Sequence, residues 1–127
     1  GRGGEPCVQG GVLVTRRVLY VSGPVTGMPD DNREAFEAAA DELAACGYIA
    51  RIPHWDVRPG EKWPAAMRTT LMAILAQADG LAMLDGWERS EGAQLEANVA
   101  RSLMMPVKTV SQWAARMPAK RGRKTCK

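Results

Sequence analysis

The sequence predicts a small α/β protein, a flavodoxin- or Rossmann-like three-layer sandwich on a parallel sheet of about four strands. Short β-rich runs alternate with helical stripes in the order β-α-β-α-β-α-β. The helical stripes are long enough to carry the chain back along the sheet, so successive strands run parallel through right-handed crossovers. The central runs are short and nearly all apolar, the pattern of strands covered on both faces.

Residues 1–16 form a flexible N-terminal segment, Gly-rich and without the apolar centre of a signal peptide. Arg17–Ser22 (RVLYVS) is a β-rich run closed by Gly23-Pro24, a first strand and turn. Asp31 and Glu34 have the spacing of a capping box, and Phe36, Ala39, Ala40 and Leu43 follow at helical spacing. Gly47 is the expected C-cap of that helix. Tyr48–Ile52 is a second strand, stopped by Pro53, and 53–62 is a polar loop with two prolines. Pro64 sits where a first helical turn tolerates it, and Met67, Leu71, Ile74, Leu75 and Ala78 form a second stripe. Gly80–Leu84 is a third strand, Glu91–Leu103 a third helix and Pro106–Val110 a fourth strand. Residues 111–117 add a short helical piece before a basic, disordered tail at 116–127, so the folded domain spans 17–115.

A chain of 127 residues with 46% hydrophobic content is one domain with a sizeable core. No apolar run approaches the roughly 18 residues of a membrane span, so no membrane partner is expected. Cys7, Cys46 and Cys126 are odd in number and far apart, which fits neither a zinc site nor a disulfide framework and points to a reducing cytoplasm. The tail holds six of the 17 basic residues and no acid, leaving the body with 11 basic against 14 acidic residues. Such a tail is either a solvated end or a weak, sequence-blind contact to nucleic-acid phosphates.

Function concentrates at two loops. In an open parallel sheet the loops after the first and third strands meet at the carboxyl edge, where ligands bind. The first supplies Gly23, Thr26 and Gly27, whose backbone can approach a ligand closely. The second supplies Asp85, Trp87, Glu88, Arg89 and Ser90 and leads into a helix N-terminus, which favours an anion. Ser90 can cap that helix or bind a phosphate oxygen. Glu96 stands one turn from Gly92, Ala93, Val99 and Ala100, an acid among small and apolar neighbours. A carboxylate there is either costly or used, and an intersubunit ion pair is the structural alternative. GxxxxGK[ST] and GxGxxG are absent. The single histidine, His54, reads as surface or pocket rim, and no cofactor or metal is expected.

Two stretches, LYVSGPVTGMPDDNREAFEAAADELAACGY and ADGLAMLDGWERSEGAQLEANVARSL, resemble the small phage and bacterial proteins of the DUF4406 family over roughly residues 17–110. That family is similar to the nucleoside 2-deoxyribosyltransferases and the deoxynucleoside monophosphate N-glycosidases. The resemblance implies a nucleophilic glutamate in a GxxxE pattern, matched by Gly92 and Glu96, and a tyrosine late in the first strand, matched by Tyr20. It also implies that Ser90 and Gly92 line a sugar-phosphate site and that Gly23, Pro24, Thr26 and Gly27 form a phosphate-side loop. Two positions differ from the enzymes: Leu71 stands where the glycosidases carry an aspartate, and Ala97-Asn98 replaces Leu-Gly after the glutamate.

The implied function is cleavage or exchange of the N-glycosidic bond of a deoxynucleoside or its 5′-monophosphate, in a bacterial or phage-infected cytoplasm. Glu96 is then the nucleophile, Tyr20 orients it or the sugar, and Asp85 or Glu88 protonates the leaving base. Ser90, Arg89 and the loop amides hold a phosphate, Trp87 or Trp55 stacks on the base, and Trp63 serves packing. The edges of a four-stranded sheet and the cross-subunit pockets of related enzymes imply a homo-oligomer. The alternatives are a nucleotide-binding module without turnover and a nucleic-acid or assembly protein acting through the tail.

Overall fold

A computed structural model of the protein describes residues 7–9, 12–14 and 16–115. Within the N-terminal segment, β1 (Cys7–Gln9) and β2 (Val12–Val14) pair antiparallel. The rest of that segment and the basic tail at 116–127 lie outside the described residues.

The domain is built on four parallel strands, β3 (Val18–Ser22), β4 (Ile49–Arg51), β5 (Gly80–Met83) and β6 (Val107–Thr109), in the order β4-β3-β5-β6. Alternation along β3 and β5 divides the core. Leu19, Val21 and Ala82 face α1 (Arg33–Ala45) and the short α4 (Val110–Ala115). Tyr20, Leu81 and Met83 face α2 (Trp63–Gln77) and α3 (Glu91–Ser102). The result is a three-layer α/β sandwich, as the sequence predicts. Among the described residues no helix is long and apolar enough to cross a membrane.

Two helix ends follow the sequence reading. Gly47, at φ 97°, closes α1 in a Schellman motif, with its N–H donating to Ala44 O and that of Tyr48 to Leu43 O. Ser90 caps α3, its Oγ accepting from the Ala93 N–H at 3.2 Å. The start of α1 departs from it. Asp30, Asp31 and Asn32 take positive φ of 51°, 55° and 60°, and α1 begins at Arg33 without a side-chain cap. The capping box at Asp31 and Glu34 does not form, because Asp31 lies inside a left-handed turn rather than before the helix. Asn32 Nδ2 donates instead to Pro24 O at 3.0 Å, tying the turn to the loop after β3.

The chain goes outward from β3 to β4, then crosses back to β5 on the other side. This reversal leaves a crevice above the carboxyl ends of β3 and β5. Leu84 N–H donating to Ser22 O at 2.8 Å fixes the two strand ends side by side there. Gly23 permits that closeness, since a Cβ on it would lie 2.7 Å from Leu84 Cβ.

Candidate functional site

A cleft of about 830 Å³ opens above those strand ends. Its walls are the loop 23–27, the loop 53–61 and the first turns of α2 and α3. Ser22, Thr70 and Glu96 meet within it from β3, α2 and α3.

Glu96 is the buried acid of the cleft, only 7% exposed. Its Oε1 accepts from Ser22 Oγ at 2.6 Å and its Oε2 accepts from Thr70 Oγ1 at 2.7 Å. No ion pair reaches it among the described residues, so two neutral hydroxyls hold the charge. Burial pushes the carboxyl above the ordinary glutamate range, and the two hydroxyl bonds pull it back down. Each carboxylate oxygen keeps a second lone pair. Thr70 Oγ1 also lies 3.3 Å from Met67 O. The hydroxyl can therefore turn to that carbonyl and accept from Glu96 when the acid is protonated.

Gly23, Pro24, Thr26 and Gly27 line the wall opposite α3, and Gly27 turns at φ 81°. Arg89, Ser90 and Gly92 line the α3 side. A Cβ on Gly92 would lie 3.1 Å from Met67 Sδ and 3.6 Å from Trp63 Nε1, so the absent side chain lets α2 and α3 approach at the cleft.

Five residues singled out in the sequence, Tyr20, Trp55, Asp85, Trp87 and Glu88, do not line the cleft. Tyr20 is fully buried beneath it, and its hydroxyl donates to Asp56 Oδ2 at 3.1 Å rather than to Glu96. Burial raises the phenol well above its ordinary value, and the charges of Asp56 and Glu96 push the same way. Asp85 and Glu88 are exposed on the loop before α3. Trp87 is half-buried against the core between α3 and the sheet, with the Arg101 guanidinium 5.5 Å above its ring.

A family model described as a domain of unknown function, DUF4406, matches residues 17–109. The chain belongs to the DUF4406 family. No curated protein and no solved structure matches it. The DUF4406 match runs from the residue before β3 to the end of β6 and so includes every residue of the cleft.

Sequence reasoning misses several residues of this DUF4406 site. Ser22 reads only as the last residue of the first strand, before the Gly23-Pro24 turn. Thr70 falls between Met67 and Ile74 in a stripe judged by its apolar members, although the i, i+3, i+4, i+7 pattern from Met67 places it on the buried face. Trp63, read as packing, is 45% exposed and lines the cleft. Asp56 joins Tyr20 to Arg51, whose Nη2 donates to Asp56 Oδ1 at 3.0 Å. His54 lines the cleft as a rim residue, its Nε2 2.7 Å from Asp31 O and its ring edge-on to Phe36. That contact joins the loop after β4 to the left-handed turn. The intramolecular hydrogen bonds were invisible in sequence because their partners stand 74 and 26 residues apart.

Proposed function

We propose that the protein cleaves or exchanges the N-glycosidic bond of a deoxynucleoside or its 5′-monophosphate, with Glu96 as the nucleophile. The observation that carries this reading is a buried carboxylate in an open cleft, held by two hydroxyls and, among the described residues, by no cation. A charge-neutralising partner would make Glu96 a structural ion pair. Hydroxyl donors instead keep it ionisable while leaving a lone pair on each oxygen.

In the first step a Glu96 oxygen attacks the sugar C1′. The C1′–N bond breaks, and its electron pair leaves with the base, which takes a proton from water at the cleft mouth. Positive charge builds on the sugar in the transition state, and the low dielectric around Glu96 strengthens its attraction to that charge. The product is an ester between Glu96 and the sugar. Water or the nitrogen of a second base then attacks C1′, loses its proton to solvent, and returns Glu96 as a carboxylate. Tyr20, whose phenol stays protonated, anchors the 53–61 wall of the cleft through Asp56. Arg58 and Arg89 line the cleft without an ion pair among the described residues, which suits an anionic 5′-phosphate.

A second reading, a nucleotide-binding module without turnover, is favoured by one observation. The other acids of the cleft, Asp31, Glu61 and Glu91, are exposed or half-exposed, so none is enclosed with Glu96 where it would face the leaving base out of reach of water. Chromatography of free base released from a panel of deoxynucleosides and their 5′-monophosphates decides between the two. The expected result is release by the parent and none by Glu96→Ala. Absence of release from every member, with and without an acceptor base, overturns the first reading and leaves the second to be tested by binding.

A further inference from the structure

We infer that Trp63 is the surface on which the planar base of the ligand stacks, an assignment that rests on the nucleotide reading of the cleft. Four observations carry it. Trp63 opens α2 and lines the cleft, yet 45% of it is exposed. Leaving an indole that accessible forgoes a large apolar burial. Its ring is also unpartnered. Among the described residues the rings of Trp87 and Trp113 each carry a cation, and Trp113 packs edge-on to Tyr48, whereas Trp63 has neither an aromatic nor a cationic neighbour.

The ring lies on the same face of α2 as the hydroxyl that holds the reacting acid. Trp63, Met67 and Thr70 occupy one face of α2 at i, i+4 and i+7. Thr70 holds Glu96, and Trp63 Nε1 meets the position of a Gly92 Cβ at 3.6 Å. Gly92 is one turn before Glu96 on α3, about 6 Å along the axis. A ring attached to a sugar carbon at Glu96 can span that separation. Finally, the Nε1 edge of the indole faces α3 at Gly92, so the ring stands at the wall of the cleft that carries Glu96. Trp55 is 54% exposed but does not line the cleft, and Trp87, half-buried against the core with Arg101 over its ring, does not line it either.

The test is calorimetric titration with 2′-deoxynucleoside 5′-monophosphates and with 2-deoxyribose 5-phosphate, which has the sugar and phosphate but no base. It is done on Glu96→Gln protein so that nothing turns over, with Trp63→Ala and Trp63→Phe added. Trp63→Ala is expected to weaken nucleotide binding roughly tenfold or more, the range of a lost base–aromatic stack. Trp63→Phe retains most of the affinity, and binding of deoxyribose phosphate is the same in all three. Equal nucleotide affinity in Trp63→Ala, an equal loss for deoxyribose phosphate, or no nucleotide binding to the parent overturns the assignment. Thermal melts of the variants exclude a folding defect as the cause. Because binding needs no turnover, the two proposals fail separately. Trp63-dependent binding without base release removes the glycosyl-cleaving reading alone. Base release with an unchanged KM in Trp63→Ala removes the stacking role alone.

Discussion

Glu96 is held by hydroxyls where a stabilising design would place a cation or an apolar residue, and this fixes how stability depends on pH. Its folded-state affinity for a proton is raised by burial. A carboxyl of this kind favours the fold when protonated, so its contribution is fully present below the ordinary glutamate value and is lost as pH rises through the raised one. Glu96→Gln removes the charge while keeping an amide that can bond both hydroxyls. It is expected to stabilise the protein by on the order of 1 kcal/mol at pH 7 and to give no gain at pH 4, measured by denaturant unfolding at the two values. A gain equal at both values, or a loss at pH 7, counts against the burial argument. Thr70→Val tests the clamp from the other side. Without the hydroxyl the Glu96 carboxyl titrates higher still and stability at pH 7 falls by about 1–3 kcal/mol, while Thr70→Ser restores both. A carbon-detected titration of the Glu96 carboxyl reads the change directly. The acid itself is legible in sequence because its neighbours at helical spacing are small and apolar. Its partners are not, because one hydroxyl ends a strand and the other hides in an apolar stripe.

At the scale of elements, glycine positions separate geometry that must be kept from geometry that only helps. At Gly23 a Cβ meets Leu84 Cβ at 2.7 Å, an atom fixed to the backbone of the adjoining strand end. At Gly92 it meets the Met67 Sδ at 3.1 Å, the far end of a flexible side chain. Gly23→Ala is therefore expected to destabilise by about 1–3 kcal/mol as overpacking, and Gly92→Ala by less than 1 kcal/mol because methionine repacks. Thermal unfolding of both variants checks the order, and a reversed ranking rejects this account of the crevice. The alternation of strands and helices, the Gly47 cap and the Ser90 cap are readable because each depends on residues close in sequence. The left-handed turn at Asp30, Asp31 and Asn32 is not. Asp and Asn enter the left-handed region at less cost than other L-residues, but three in a row still need outside support, and it lies elsewhere in the chain, in Pro24 O and His54. Local propensity reads the same residues as a cap. Trp63 and Trp87 are exchanged for a related reason: composition shows that some tryptophans must be buried, and only packing shows which.

For the whole molecule, the fold reaches beyond the 17–109 span that carries the family signature. Trp113 on α4 is 1% exposed and is the largest fully buried side chain among the described residues. Its Nε1 donates to Leu81 O at 2.7 Å, and its own carbonyl accepts from the Tyr48 hydroxyl at 2.9 Å. One residue thus links α4 to β5 and to the residue that leads into β4, on the face of the sheet away from Glu96. Gly80 is shaped to receive it, since a Cβ there would lie 2.7 Å from the Trp113 ring. Replacing a buried tryptophan by alanine costs about 3–5 kcal/mol, a large share of the 5–15 kcal/mol typical of a domain. Trp113→Ala is expected to lower the melting temperature by on the order of 15 °C or more. A chain ending at Thr109 loses the same wedge and is expected to show no cooperative unfolding transition by circular dichroism. If that shortened chain melts cooperatively at the parent temperature, the core is complete without α4 and the wedge is dispensable. The expected outcome instead makes α4 the closing element of the sheet. The cleft then depends on it at a distance, because the alignment of β3 with β5 sets the separation of the Ser22 hydroxyl from Glu96.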